Sequence, residues 1–206
     1  MTSLFHIHPV HDSCAWAVGA TIPRRGTTNR YMELFERSHV LTERGQRRPW
    51  VAMIRNYLRL PPAQQTKEIG LHLLRHAEVT MHRHGMFRRE LIFEKIRRRE
   101  FPDRPSRRTC LFLTPYGFVP FWWGTMSVGA KAKLFKVKPS GNMHTGFNGW
   151  LEDDTLYHDE LRANARRYWQ GDKSDKNQEE EVLLDGDVVI EAEYVDLADF
   201  QKNATP

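Results

Sequence analysis

Cysteine is scarce in this 206-residue chain. The two present, Cys14 and Cys110, lie far apart and form no Cys-x-x-Cys pair, which argues against a disulfide framework and against a structural zinc site. Cys110, inside Thr109-Cys110-Leu111-Phe112-Leu113, reads as a small buried hydrophobe. Long apolar runs are missing too, and no charged-then-apolar leader pattern is visible, so neither membrane insertion nor secretion is expected. A cytoplasmic location follows as the expectation. No internal repeat appears, and the length suits one domain with one substantial core.

Charge is present in both signs but unevenly placed. Residues 151 to 206 hold 6 Lys+Arg against 16 Asp+Glu, a net of −10, which leaves 25 against 10, or +15, for residues 1 to 150. A basic body with an acidic C-terminal part suits anionic partners such as nucleotides, nucleic acid or acidic protein surfaces. It equally suits two parts that pack together and neutralise each other.

Periodicity gives the coarse organisation. Ser3 to Pro9 reads as a short strand stopped by proline, and Thr21 to Arg30 as a long polar loop. Tyr31 to Val40 and Trp50 to Leu60 carry apolar residues at helical spacing, with a breaker around Gly45 to Pro49 and a stop at Pro61-Pro62. From about Ala63 to Phe101 the pattern is long and helical, with Gly85 a place where it could bend or divide. Beyond Pro105 the character changes. Ser106 to Thr114 and Lys133 to Val137 read as strands, with Phe118 to Trp123 between them as a short aromatic helix or turn. Thr155 to Trp169 reads as a helix with Asp154 or Thr155 as N-cap and Gly171 as its stop. Two strands follow, Glu181 to Leu184 and Val188 to Tyr194, joined by the tight-turn pair Asp185-Gly186. Residues beyond Phe200 read as a frayed tail. Strands and helices in this order predict an α+β arrangement.

Three patterns could carry chemistry. Glu179 and Glu181, spaced i, i+2 before an apolar β-prone run, would point to one face if both lay on a strand. His6 and His8 also share a strand face, with His11 and Cys14 near in sequence; no second His/Asp cluster completes a metal site, so none is assigned. The basic segment Arg88 to Arg108 suits phosphate contact, although Glu90, Glu94 and Glu100 are spaced to pair with several of its cations.

Taken in order, Leu4-Phe5-His6-Ile7, then Pro105-Ser106-Arg107 leading into Cys110-Leu111-Phe112-Leu113, then Glu179-Glu180-Glu181-Val182-Leu183-Leu184, the chain resembles the ADP-ribosyltransferase superfamily. The stretch Phe118 to Val137 resembles that family's aromatic helix leading into a strand. Phe101 to Leu113, with Ala165 to Gly171 leading to Leu184, resembles an uncharacterised bacterial and phage branch of it. The resemblance implies a split mixed β-sheet with a helical insertion after the first strand. A single domain over 1–200 would carry the insertion at about 31–101, with 201–206 as a flexible tail.

The resemblance further implies NAD as substrate, with His6 on a ribose hydroxyl and Ser106 beside it. Glu181 would be the central catalytic residue and Glu179 would orient the nucleophile. Trp122 or Trp123 would stack on nicotinamide. Breaking the nicotinamide–ribose bond builds positive charge on the sugar, which a fixed carboxylate stabilises most in the transition state. The acceptor would be a protein or nucleic acid, met through Arg88 to Arg108, inside a bacterial or phage-infected cell. The alternatives are a non-catalytic phage or host structural or interaction protein that keeps the fold, and an NAD glycohydrolase.

Overall fold

A computed structural model describes residues 3–9, 16–23, 40–43, 46–126, 132–151, 157–176 and 178–205. The chain forms two compact units, Arg30–Leu91 and the remainder, Met1–Asn29 with Ile92–Pro206.

In the unit Arg30–Leu91, strands β3 (Val40–Glu43) and β4 (Gln46–Pro49) pair antiparallel, with Val40 opposite Pro49 and Glu43 opposite Gln46. Of the expected breaker, Gln46–Pro49 is instead a strand, and Val40 is strand; Gly45 and residues 31–39 of the predicted helix lie outside the described residues. Helix α1 (Trp50–Leu58) stops before Pro61, as predicted, because proline cannot supply the next amide. Helix α2 (Lys67–Glu100) begins here and runs unbroken through Gly85 into the second unit. One glycine costs a helix only about 1 kcal/mol, too little to interrupt one of this length.

The larger unit holds an antiparallel sheet in the order β2-β7-β5-β1-β6, built from β1 (Leu4–Pro9), β2 (Thr21–Ile22), β5 (Leu111–Pro115), β6 (Ala132–Phe147) and β7 (Glu180–Tyr194). Strand β7 also pairs with β6, so the ladder closes on itself through β7, β5, β1 and β6. Helices α3 (Val119–Met126), α4 (His158–Gln170) and α5 (Leu197–Asn203) complete the unit. The class is α+β, as composition and order predict.

Alternation along the strands sorts the core into two faces. Leu113, Phe135, Val137, Val182, Leu184, Val188 and Ile190 cluster with Trp16 on the first. On the second, Leu183 and Phe112 meet Ile92, Phe93 and Ile96 of α2 and Leu161, Ala165, Tyr168 and Trp169 of α4. Phe5, Ile7, Leu134 and Tyr194 meet Val119 and Phe200 on that same face. In α4 the buried residues recur at i, i+4, i+7 and i+8, the stripe that an amphipathic helix lays on a sheet. Gly171 ends it in the left-handed region at φ 80°, as predicted. Its start is Tyr157, whose amide donates to Glu160 at 2.9 Å; the predicted caps Asp154 and Thr155 lie outside the described residues.

Three expectations change. Asp185-Gly186 is not a turn: it lies inside one fifteen-residue strand, opposite Asn142 and Gly141 of β6. A Cβ on Gly186 would come within 2.1 Å of the Ser140 carbonyl, so the glycine is needed for close strand approach. Ser106 does not open a strand. Cys110 N–H donates to Ser106 O at 2.9 Å and Arg108 N–H to the Ser106 hydroxyl at 3.2 Å, forming a turn, and β5 starts only at Leu111. Residues 201–203 continue helix α5 instead of fraying. Asp196 caps it by accepting from Asp199 N–H at 2.8 Å, and Phe200, 2% exposed, packs edge-on against Phe5 at 5.1 Å.

Candidate functional site

Glu181 is the second residue of β7 and faces the second side of the sheet, opposite Gly146. It is 5% exposed. Its Oε1 accepts from the Arg107 guanidinium and from the Tyr168 hydroxyl at 2.5 Å, while Arg107 Nη1 also donates to that hydroxyl at 2.8 Å. Arg107 lies 5.2 Å from the centroids of both the Phe112 and Tyr168 rings. The pair is thus buried and aromatic-walled. Burial, reinforced by Glu181, raises the Tyr168 hydroxyl well above its ordinary value, and the hydroxyl remains a donor.

His6 is elsewhere. In β1, Phe5 pairs with Thr114 and His6 with Phe135, so His6 shares the first face with Leu113, Phe135 and Val182. The sheet itself separates His6 from Glu181, and the predicted convergence of the two on one site is not present. The carboxylate that alternation directs to His6's face is Glu180. Glu179 precedes the strand; its Oε2 is buried and has no hydrogen-bond partner among the described residues. Trp122 donates its indole N–H to the Glu180 carbonyl at 2.9 Å, and with Trp123 packs against the Phe5–Phe200 core. Among the described residues, no cluster of three or more metal-ligating side chains occurs; His11 and Cys14 lie outside them.

Ser106 instead belongs to a cleft of about 350 Å³, lined also by Glu94, Arg97, Arg98, Arg104, Arg108 and Asp185. Its hydroxyl donates to Glu94 Oε2 at 2.9 Å. Arg97 is used internally, giving Nε and Nη2 to Glu94 and Nη1 to the carbonyls of Pro102 and Arg104. Burial alone would raise the Glu94 carboxyl, yet hydrogen bonds from Arg97, Arg98 and Ser106 outweigh it and hold it below its ordinary value. Arg98 donates only Nε to Glu94, at 2.8 Å, and its side chain is 70% exposed. Arg104 is exposed as well. Guanidiniums facing solvent at a cleft rim are positioned to fork around phosphate oxygens.

Much of the basic segment is spoken for within the fold. Glu94 holds Arg97 and Arg98, Glu100 holds Arg99 and Arg166, and Arg89 pairs with Glu90 at 3.3 Å. Arg107 and Tyr168 carry buried polar contacts to Glu181 and to each other, and neither was singled out as a site residue from the sequence. Arg107 sits in a run of cations, and Tyr168 occupies an apolar-stripe position that any aromatic could fill.

No curated protein matches the sequence. A family model described as "Protein of unknown function (DUF2441)" matches residues 4–196, nearly the whole chain, and the protein belongs to that family.

Proposed function

We propose that the protein binds a phosphate-bearing nucleotide in the cleft beside Ser106, and that the nucleotide is NAD. The observation that carries this reading is the cleft itself: Arg98, Arg104 and Arg108 ring a volume of about 350 Å³, within the size range of small-ligand sites. A pyrophosphate offers paired anionic oxygens to those guanidiniums. The resemblance to ADP-ribosyltransferases supplies NAD as the specific ligand, although the described pairings of the five-stranded sheet are all antiparallel, where the resemblance implies a mixed sheet.

ADP-ribosyl transfer to a protein or nucleic acid is the fuller form of the reading. Glu181 does not line the cleft; it holds Arg107, the residue that follows the cleft's Ser106 in the chain. Acting on a ribose would require its carboxylate to leave Arg107 and Tyr168. That engagement favours binding without transfer as the resting behaviour, the role of a fold-retaining interaction protein.

Incubation with NAD and quantification of nicotinamide separates the two forms. Nicotinamide release that is lost in Glu181→Gln supports transfer or hydrolysis. Binding of NAD without release leaves the binding role, and absence of both refutes the reading.

A further inference from the structure

Strand β1 carries a His-x-His pair that the nucleotide reading leaves unused. Both imidazoles lie on the first face, where Trp16 stacks on each, at 4.6 Å from His6 and 4.7 Å from His8, with interplanar angles of 26°. Phe135 closes the neighbourhood, 6.3 Å from the His8 ring and 5.3 Å from Trp16. Trp16 thus covers both rings, and Phe135 flanks His8.

The tautomer of His6 follows from its partner. Nδ1 is 2.8 Å from the Phe112 carbonyl, and a carbonyl only accepts, so Nδ1 carries the proton and Nε2 is left with its lone pair. This is the arrangement in which metal-ligating histidines are held, the far nitrogen anchored to a backbone carbonyl. Nε2 lies 3.4 Å from His8 Nδ1. That separation is a long hydrogen bond in which His8 Nδ1–H donates to His6 Nε2, past the usual range of about 2.7–3.2 Å. It matches the separation of about 3.3 Å between two ligand nitrogens on a tetrahedral zinc with bonds of about 2.05 Å.

We propose that His6 Nε2 and His8 Nδ1 form a two-imidazole site for a divalent transition ion, zinc foremost. The remaining coordination positions are open to water or a small exogenous ligand. Imidazole pairs suit zinc, copper and nickel over magnesium or calcium. On this face Lys133, opposite His8, forms an ion pair with Glu193.

The test is a titration of the metal-free full chain with Zn²⁺ against a chromophoric chelator, with Co²⁺ absorption as a second readout. One equivalent should bind, with a change in tryptophan emission that disappears in Trp16→Phe. Affinity should fall at least tenfold in His8→Ala and in His6→Gln, whose amide keeps a donor for the Phe112 carbonyl. Circular dichroism confirms that each variant is folded. His72 and His76, an i, i+4 pair on α2 with ring centroids 4.5 Å apart, provide the competing locus. Absence of binding, unchanged affinity in the β1 variants, or loss only in His72→Ala/His76→Ala overturns the proposal.

Discussion

Arg107 and Glu181 are 3% and 5% exposed, and they are hydrogen-bonded to each other and to Tyr168. Removing one charge from such a pair leaves the other buried without compensation, at about 3–5 kcal/mol. Glu181→Gln should lose stability on that scale in urea unfolding, and Arg107→Met combined with Glu181→Leu should lose less than either single change. A Glu181→Gln chain as stable as the parent would contradict this account. His144 adds a pH dependence. Burial, with the Arg104 and Arg107 charges, lowers its pKa from 6.5 to about 4, while its Nε2–H donates to the Tyr168 carbonyl at 3.0 Å. The unfolded chain therefore takes up this proton near pH 6.5 and the folded chain only near pH 4, so stability falls as pH drops through that window. His144→Gln should flatten the unfolding free energy between pH 6.5 and 4; an unchanged slope would show that the residue titrates alike in both states. Neither residue was legible beforehand. The sequence shows one cation in a basic run and one histidine among ten, and only tertiary burial gives them their partners.

Elements were legible where one periodicity ran uninterrupted. The apolar stripe of α4, the length of α2 and the aromatic helix α3 all follow from local spacing, because a helix reads its own sequence within a few residues. Asp185-Gly186 misleads because a hairpin turn and a close strand crossing both require glycine. The distinction rests on Gly141 in β6, far away in sequence. Gly146 is a similar case: a Cβ there would stand 2.2 Å from the Tyr168 ring. Gly146→Ala should destabilise by about 1–3 kcal/mol through overpacking. Gly124 offers the opposite sign. It lies inside α3 with nothing within 4 Å of an added Cβ, so Gly124→Ala should stabilise by about 0.5–1 kcal/mol. Thermal unfolding of the two variants checks both signs, and a destabilised Gly124→Ala would refute the account of α3.

For the whole molecule, the acidic C-terminal part and the basic body meet inside the larger unit through Arg107–Glu181 and Lys133–Glu193. Part of the charge asymmetry is therefore internal neutralisation. The resemblance named three residues in the right order, and order carries no information about which side of a sheet a side chain takes. A shift of one residue in register reverses the face, and register is set by pairings between distant segments. His6 and Glu181 fall on opposite faces for this reason, while Ser106 joins the arginines of the cleft.

The cleft is the central claim, and calorimetric titration of NAD and ADP-ribose into the parent chain and into Arg98→Ala/Arg104→Ala tests it most directly. Glu94 keeps its hydrogen bonds from Arg97 and Ser106 when the 70% exposed Arg98 side chain is removed, so the double variant should remain folded. Both ligands are predicted to bind the parent, more weakly as salt rises, with affinity at least tenfold lower in the variant and no binding of nicotinamide alone. Absence of heat with the parent, or equal affinity in parent and variant, would contradict it.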